Sequence, residues 1–525
     1  MDLESDVVVY GDAAGGVTAA IQASRMGQSV ILVSPFDGHL GGMTSSGLGW
    51  TDIGNDQILG GISREFYHRL YQHYQQPEAW QQEPRDAFAN KGQGVPALNP
   101  ATELATTFEP RVAENLFQTM IKKAGVKVIT GRIDLGHGVI KSGHRITALQ
   151  LEDGTTIKAK MFIDASYEGD LLPGAGVSFV VGRESNEEYD EQGNGNTGVA
   201  RKNQLPDGID PYIIKGDASS GLLPGLNPEP GGSKGDGDHR LQAYCYRMCL
   251  TDAPDNRVII EKPKDYNEAE YEILFRAIEA GQTNTFFKLS LMPNRKTDSN
   301  NDGGISTDYI GMNYGADWNW ATLNHAQREA LAAKHRDWQL GLIWTLQHHP
   351  RVPQTIREVY APWGLPKDEF PDNAHWPYNL YIREARRMRS DVVMTENHCK
   401  GKLPVADPVG MGAYTLDSHN TQRYVHDGMV KNEGDIQSYL NGKAYGISYR
   451  ALVPPAEECT NLLVPWALSA THIAFGSIRM EPVFMILGQS AATAACLAIE
   501  DDTSVQDVPY EKLRKRLLAD GQQLL

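Results

Sequence analysis

A run of small residues near the start of the chain has the spacing of a phosphate-binding turn. It reads Gly11-Asp12-Ala13-Ala14-Gly15-Gly16, the G-x-A-x-x-G form of a dinucleotide fingerprint. Gly11 allows a tight turn and Gly16 allows a helix to pack closely on a strand, while Ala13 stands where the backbone approaches a pyrophosphate. We predict that cofactor phosphates contact this turn through Gly11, Ala13, Ala14, Gly15 and Gly16.

The segments around this turn predict the strand, turn and helix that such a site needs. Residues 6–10 are rich in β-branched side chains, residues 17 to about 26 form an Ala-rich helical stretch, and residues 29–33 predict a second strand. The N-terminus of the helix would offer free N–H groups and a positive dipole end to phosphate. The pattern indicates a Rossmann-like α/β fold.

The end of the second strand lacks the acidic residue that binds ribose hydroxyls in NAD sites. Ser34 and Pro35 stand there instead, which favours FAD over NAD and requires a serine hydroxyl or a backbone amide to hold the ribose. Residues 39–49 then form a small-residue run that lets the backbone lie against a cofactor. The predicted contacts in this part of the chain are Ser34, Pro35, His39, Gly41, Gly42, Met43, Thr44 and Ser45.

Later segments predict the remainder of the same nucleotide-binding unit. A helix is expected from Pro110, followed by a strand over residues 126–131, a hairpin over 132–160 and another strand over 161–166. In FAD folds the strand that contains Val128 places its backbone beside adenine. Ala165 and Ser166, at the end of the last strand, are predicted to contact the cofactor.

Several longer strings in the chain resemble one group of FAD-dependent oxidoreductases, sometimes labelled xanthan-lyase-like. The resemblance covers nearly the whole chain. Its strings are residues 39–44, 163–171, 182–185, 242–244, 246–250, 383–387 and 417–420, and the run 469–495. It implies bound FAD, held partly by Glu168 and Asp170, and it implies little about the substrate. Asp12-Ala13 is a departure, because members more often have glycine within the turn.

The resemblance implies an α/β fold of the glutathione-reductase type, a Rossmann-like FAD-binding domain with an inserted α+β substrate domain. We expect residues 1–181 and 441–525 to form the FAD-binding domain and residues 182–440 the substrate domain. A small-residue helix over 483–497 is expected to point its N-terminus at the flavin pyrimidine edge, where reduced flavin gathers negative charge. Leu487 and Gly488 are predicted contacts on this helix.

Histidine and arginine side chains are the candidates for catalysis. Hydride transfer from a C–H that carries a hydroxyl or an amine requires a proton acceptor, and histidine titrates near neutral pH. We predict His419 and His472 in this role, and Arg479 beside the negative charge of reduced flavin. Arg383 and Arg387, four apart on an expected helix, would bind a substrate carboxylate or the FAD pyrophosphate; a surface ion-pair network is the alternative.

His39 follows the second strand, where some flavoproteins attach the flavin 8α-methyl group covalently to histidine. This is a hypothesis, and acid precipitation that releases all the yellow colour would rule it out. No metal is expected. Asp298, Asn300 and Asp302 match the first half of a calcium loop, but Tyr309 stands at its twelfth position instead of glutamate.

The composition excludes several classes of partner. A net charge of −17 over 525 residues, without a basic stripe, argues against nucleic acid, and no apolar run reaches the roughly 20 residues that span a bilayer. The scattered cysteines predict buried thiols, and a strand that starts by about residue 6 leaves no room for a signal peptide. We expect a soluble cytoplasmic protein; whether it is a homo-oligomer stays open.

These observations predict an FAD-dependent oxidase or dehydrogenase that moves a hydride between a small polar substrate and flavin N5. Two alternatives stay open: an NADPH-dependent flavin monooxygenase, although a second Gly-rich turn for NADPH is not apparent, and a flavin-assisted lyase or isomerase without net redox change. The substrate and the electron acceptor depend on the irregular middle of the chain, which the sequence does not position.

Overall fold

The computed structural model describes residues 2–229, 231–309 and 319–525. The helices are α1 (Ala14–Arg25), α2 (Gly61–Tyr74), α3 (Pro110–Ala124), α4 (Leu171–Ala175), α5 (Glu272–Glu279), α6 (His325–His348), α7 (Gln354–Tyr360), α8 (Glu396–Cys399), α9 (His472–Ile478), α10 (Glu481–Asp501) and α11 (Tyr510–Ala519).

The strands of the first third of the chain are β1 (Asp2–Tyr10), β2 (Val30–Ser34), β3 (Leu98–Asn99), β4 (Leu104–Ala105), β5 (Lys127–Thr130), β6 (Val139–Ser142), β7 (Arg145–Gln150) and β8 (Thr156–Asp164). The later strands are β9 (Phe179–Val180), β10 (Met248–Thr251), β11 (Arg257–Val258), β12 (Ser290–Met292), β13 (Lys296–Ser299), β14 (Leu365–Pro366), β15 (Arg387–Met388), β16 (Pro408–Gly412), β17 (Leu416–Ser418), β18 (Gln422–His426), β19 (Met429–Glu433), β20 (Ile436–Ser438), β21 (Tyr445–Ser448) and β22 (Leu462–Leu463).

A mixed seven-stranded sheet forms the centre of the fold. Its strands lie in the order β5-β2-β1-β8-β7-β6, and β22 pairs with β8. The pairs β5-β2, β2-β1, β1-β8 and β8-β22 are parallel, whereas β6 and β7 form an antiparallel hairpin that continues onto β8. The predicted βαβ start and the hairpin are therefore confirmed, and the architecture is a mixed α/β fold consistent with an FAD-binding Rossmann-like sheet.

Small residues let helices α1 and α10 cross at very short range over this sheet. A Cβ added to Gly15 would lie 2.8 Å from the carbonyl oxygen of Phe484, and one added to Gly488 would lie 2.0 Å from the carbonyl oxygen of Gly15. Helix α10 is long and apolar enough to cross a membrane by composition, but 94% of its most apolar window is buried inside the protein. It is therefore a core helix that fixes the N-terminal βαβ unit against the C-terminal part of the chain.

The middle of the chain consists of short strand pairs and a long helix. The sequence pattern predicts a long helix from Leu323 to His348, and α6 confirms it within two residues. The Asn324 side chain caps this helix together with Gln327. The small sheet β10-β13-β12 places Arg247, just before β10, beside Asp298 of β13. Side chains that are distant in sequence thus meet around this sheet.

The prediction of a helix around Arg383 and Arg387 is wrong. Residues 382–386 have no regular structure, and Arg387 begins β15, which pairs with β9. Arg387 bonds Glu184 and lies 2.9 Å from Glu384, so neither arginine belongs to a surface network. Tertiary ion pairs override the local helix pattern because both guanidinium groups are fully buried.

Candidate functional site

The loops after β1, β2 and β8 enclose a cleft that we call the dinucleotide cleft. It lies at the carboxyl ends of parallel strands, where α/β sheets bind their ligands. The residues that line it are Tyr10, Gly11, Asp12, Ala13, Pro35, Phe36, Arg132, Ala165, Ser166, Tyr167, Glu168, Asp170, Tyr246, Trp320, His325, Arg328, Glu329, Ala332, Tyr378, Asn379, Leu380 and Ile382. Gly11, Ala13, Pro35, Ala165, Ser166, Glu168 and Asp170 among them were predicted from the sequence.

The glycine turn has the shape that a phosphate cradle needs. Gly11 has a φ of +112°, and a Cβ there would lie 2.5 Å from the carbonyl carbon of Ala165. A Cβ on Gly16 would lie 2.0 Å from the Gly11 carbonyl oxygen, so α1 begins directly against the turn. Ala14, Gly15 and Gly16 form the first turn of α1, whose free N–H groups suit a pyrophosphate. The residues present therefore fit FAD.

The predicted run from Gly41 to Ser45 packs beneath the start of α10. The amide of Met43 donates a 2.7 Å hydrogen bond to the Tyr167 hydroxyl, which donates to Glu481 at 3.0 Å. The Thr44 hydroxyl donates to the same carboxylate at 2.9 Å, and burial raises the pKa of Glu481 to about 7. The Ser45 hydroxyl donates a hydrogen bond to the Leu40 carbonyl. These side chains connect the run to α10 within the protein.

Some predicted contacts lie away from the cleft. Val128 sits within β5, while Arg132, two residues after that strand, lines the cleft. Leu487 and Gly488 lie inside α10 at its crossing with α1. The sequence did not predict that the first turn of α6 closes the cleft, where Arg328 binds Asp170 at 2.8 Å. The signal in the sequence that could have indicated this contact is a capped helix start with charged side chains in an otherwise irregular region.

His39 lies beside the dinucleotide cleft, outside its lining. Its ring stacks on Tyr378 at 3.6 Å, Nδ1 lies 2.7 Å from Glu114, and Nε2 lies 3.3 Å from Asp372. Both ring nitrogens therefore have carboxylate partners. This arrangement favours a positioning role for His39 behind Tyr378 over a covalent link to the flavin.

A second cavity of about 620 Å³, which we call the polar pocket, lies on the other side of two extended segments. Tyr246 and Leu380 face the dinucleotide cleft, whereas their neighbours Arg247 and Tyr381 face the polar pocket. Neighbouring residues of both segments thus line different cavities, so these segments form the wall between the two cavities. The polar pocket is lined by Trp50, Asp52, Gly54, Gln93, Gly94, Lys202, Asn203, Arg247, Lys288, Ser290, Asn300, Asn301, Asp302, Tyr381, Ala413, Tyr414, Thr415, Asp417, His419, Gln437, Tyr439, Asn441, Gly442 and Arg479.

The two arginines of the polar pocket are each held by a carboxylate. Arg247 donates from Nε and Nη2 to Asp298, both at 2.6 Å. Arg479 donates to Asp417 at 3.0 Å and to the Tyr381 hydroxyl at 2.7 Å. The positive charge on both guanidinium groups is therefore largely balanced. Asp298, the first position of the sequence that half matches a calcium loop, is an arginine partner in β13.

Both predicted catalytic histidines have partners on each ring nitrogen. His419 lies 2.7 Å from Asp308 through Nδ1 and 3.4 Å from Asp417 through Nε2. Burial and Arg383 lower the pKa of His419, but these carboxylates outweigh them and the pKa lies above its ordinary value. His472 is buried between Glu384 at 2.7 Å and Ser418 at 2.9 Å. Only His419 reaches the polar pocket.

Arg383 lies behind the wall of the polar pocket. Its Nη1 is 3.0 Å from Asp308, and its other bonds go to the Ala243 carbonyl and the Cys245 thiol. It therefore holds Asp308 against His419 and has no free face for a substrate carboxylate.

Asp52 is a pocket carboxylate that the sequence analysis missed. The Tyr414 hydroxyl donates a 3.1 Å hydrogen bond to it, and burial raises its pKa above the ordinary value although Arg247 lowers it. Within residues 2–229, 231–309 and 319–525, no cationic group forms an ion pair with Asp52. Its place three residues after the small-residue run was the available signal.

Three carboxylates elsewhere in the protein converge in the manner of a metal site. Oxygen atoms of Glu109, Asp368 and Glu369 lie within 4.8 Å of one another. The ammonium group of Lys296 lies 2.8, 2.8 and 2.6 Å from them, respectively, and its side chain is fully buried. A lysine occupies the position that a metal ion would take.

The five cysteines of the chain are expected to be buried thiols. Cys245, Cys249, Cys399, Cys459 and Cys496 are all buried and free, as predicted.

A family profile supports the expectation that the chain binds FAD. A family profile described as "FAD dependent oxidoreductase" matches residues 6–517. No curated protein matches the chain significantly.

Solved structures with similarity to parts of the chain include two dehydrogenases and a deaminase. A 3-ketosteroid-Δ4-(5α)-dehydrogenase from Rhodococcus jostii RHA1 aligns at 16% identity and a TM-score of 0.20, covering 33% of this chain and 49% of that one. An L-proline dehydrogenase from P. horikoshii aligns at 16% identity and 0.24, covering 35% and 59%. An L-amino acid deaminase from Proteus vulgaris aligns at 16% and 0.23, covering 40% and 54%. Each alignment spans less than two thirds of the solved protein.

Proposed function

The chain belongs to the FAD-dependent oxidoreductase family, and we propose that it is an oxidase or dehydrogenase for a small polar organic substrate bound in the polar pocket. The observation that carries this proposal is the position of the polar pocket, which shares one wall of extended chain with the dinucleotide cleft. FAD, when bound, supplies the N5 atom that accepts a hydride from the substrate.

The polar pocket suits a substrate with several hydroxyl, amine or carbonyl groups. Its arginines are balanced by carboxylates, so a strongly anionic substrate would gain little from them. Lys202 and Lys288 also line the pocket, but so do the acids Asp52 and Asp302, and a polyanion would meet repulsion as well as attraction. Amide side chains such as Asn300, Asn301 and Gln437 offer both donors and acceptors. A neutral or zwitterionic polar molecule would therefore satisfy more of these groups than a lipid or a polyanion.

Asp52 is the proposed proton acceptor. When a hydride leaves a carbon that carries a hydroxyl or an amine, the proton of that O–H or N–H group must go to a base. Asp52 faces the polar pocket with one donor, Tyr414, and a pKa moved toward neutral by burial. His419 is a poorer acceptor, because Asp308 and Asp417 already lie against its two ring nitrogens at 2.7 and 3.4 Å.

The test is anaerobic mixing of the FAD-loaded protein with separate polyols, aldoses, 2-hydroxy acids and amino acids. We expect at least one compound to bleach the flavin and to yield a product two hydrogen atoms lighter. Asp52→Asn should slow bleaching by about 10²–10⁴-fold without loss of FAD. Asp153→Asn, in an exposed hairpin turn, is the matched control and should bleach at the unchanged rate.

Other outcomes would contradict the proposal and favour the alternatives. Rapid bleaching by NADPH alone, with an oxygenated product in air, would favour a monooxygenase. A product of the same mass as the substrate would favour a lyase or isomerase. Bleaching by Asp52→Asn at the normal rate would remove Asp52 from the reaction.

A further inference from the structure

The end of β2 has no acidic residue of its own, but a carboxylate from the end of β1 reaches it. The Ser34 hydroxyl donates a 2.6 Å hydrogen bond to Oδ2 of Asp12, and the amide of Phe36 donates to the same oxygen at 3.3 Å. The amide of Gly38 in turn donates to the Ser34 oxygen at 3.1 Å. The Asp12 side chain is thus fixed across the gap between the two strand ends.

This position is the one from which Rossmann folds bind ribose. Tyr10 pairs with Val33 in the parallel register of β1 and β2, so the next residues of both strands lie side by side at the carboxyl edge. An acid at the end of the second strand normally accepts hydrogen bonds from the ribose hydroxyls there. We propose that Asp12 takes this role and binds the adenosine ribose of FAD, with Ser34 as its positioning residue.

The carboxylate has acceptor capacity left for a diol. Ser34 and Phe36 both bond Oδ2, and among residues 2–229, 231–309 and 319–525 no side chain donates to Oδ1 of Asp12. A carboxylate offers about four acceptor positions, so two hydroxyl donors can be added. Burial raises the pKa of Asp12 to about 7, and hydroxyl donors from a bound ribose would favour its charged form.

The other acids that line the dinucleotide cleft already accept hydrogen bonds from side chains of the protein. Asp170 is held by Arg328 through both oxygens. Glu329 bonds Arg132, and Glu168 accepts from the indole nitrogen of Trp320 at 3.0 Å. Asp12 is the acid fixed by groups of the β2 end, which places it on the ribose side of the cleft.

The experiment measures the affinity of the full-length apoprotein for FAD and for its 2′-deoxy- and 3′-deoxyadenosine analogues, by quenching of flavin fluorescence. The wild-type protein should bind at least one analogue about 10- to 100-fold more weakly than FAD, as expected for hydrogen bonds to a charged acceptor. Asp12→Ala should weaken the binding of FAD by a similar factor. This variant should also bind FAD and that analogue with equal affinity. The two losses are not additive if carboxylate and hydroxyl contact each other.

Two further variants make the result specific. The double variant Asp12→Ala with Ser34→Glu returns the acid to the end of β2, so it should recover FAD affinity and the preference for FAD over the analogue. Asp37→Asn removes an exposed carboxylate from the same loop and should bind like the wild type. If the alanine variant does not fold, Asp12→Asn, which keeps the side-chain shape, replaces it in the same affinity measurements.

The proposal is overturned if Asp12→Ala still prefers FAD over the deoxy analogues by the wild-type factor. It is equally overturned if the wild-type protein binds both analogues as tightly as FAD. Because the readout is cofactor affinity, neither result depends on the identity of the substrate.

Discussion

The Tyr414 hydroxyl donates a 3.1 Å hydrogen bond to Oδ1 of Asp52 across the polar pocket. The Tyr414 carbonyl accepts a 2.6 Å hydrogen bond from Ser477 of α9, so the tyrosine is anchored from behind. A donor to a carboxylate stabilises its charged form. The pair therefore holds the proposed base in one orientation and limits the rise of its pKa that burial causes.

Tyr414→Phe should shift the acid limb of the pH–rate profile to higher pH. Without the donor the charged form of Asp52 loses a hydrogen bond worth ~1 kcal/mol, so its pKa rises further. The measurement is the rate of anaerobic flavin bleaching from pH 5 to 9. Tyr439→Phe is the control, because that pocket hydroxyl bonds Lys202 and Gln437 and forms no hydrogen bond with Asp52. An unchanged acid limb in Tyr414→Phe would mean that the ionisation of Asp52 does not control the bleaching rate.

His419→Gln should destabilise the fold more at low pH than at high pH. The folded pKa of His419 is raised by Asp308 and Asp417, so its stabilisation is fully present below the unfolded value of about 6.5 and is lost as pH rises through the folded pKa. We expect a loss of about 3 kcal/mol in the free energy of unfolding at pH 6, falling at higher pH.

Urea denaturation of the wild type and the His419 variant at pH 6, 7.5 and 9 checks this prediction. Below about pH 4 the comparison changes, because the lowered pKa of Asp308 means that its contribution is lost as pH falls. A difference that grows between pH 6 and pH 9 would show that His419 is neutral in the folded protein.

Gly11→Ala should abolish FAD binding as well as lower stability. The added Cβ would lie 2.5 Å from the backbone of Ala165, at a φ of +112° that alanine rarely adopts. The strain and the clash together should cost about 2–3 kcal/mol. Gly27→Ala is the matched control, since its φ is +88° but nothing lies within 4 Å of the added Cβ.

The visible spectrum of the purified variants separates the two effects. Gly27→Ala should keep its flavin and lose only stability, whereas Gly11→Ala should be colourless. Full flavin content in Gly11→Ala would mean that this turn does not carry the pyrophosphate.

The βαβ start could be predicted from the sequence because its signals are local. The glycine turn, the β-branched run and the Ala-rich helix each lie within about a dozen residues. The same reasoning failed at Arg383 and Arg387, where a helix-like charge pattern is overridden by buried partners from distant segments.

The polar pocket could not be predicted because its residues meet only in the folded chain. Asp52 and Tyr414 are 362 positions apart, and Arg247 is fixed by Asp298 across a strand pair. His419 was found, but its role was read from residue type alone. Of the two carboxylates against its ring, Asp417 stands only two residues away in the string 417–420. Asp308 is 111 positions away, and no sequence pattern indicates it.

Lys296→Met should unfold the protein more easily at pH 8 than at pH 6. The substitution leaves Glu109, Asp368 and Glu369 facing one another without the ammonium group. Removing one partner of a buried ionic cluster costs about 3–5 kcal/mol. Burial already raises the pKa of Glu369 to about 7, and loss of Lys296 raises it further, so Glu369 protonates on mild acidification and the repulsion within the cluster falls.

Lys215→Met is the matched control, because its 3.0 Å ion pair with Glu279 is exposed on both sides. It should change the free energy of unfolding by less than about 1 kcal/mol at either pH. Addition of Mg²⁺ or Ca²⁺ to Lys296→Met at pH 8 tests whether a divalent cation can replace the ammonium group, since the three carboxylates converge on one point. A loss below 1 kcal/mol that is equal at pH 6 and pH 8 would mean that Lys296 is not what keeps these acids together.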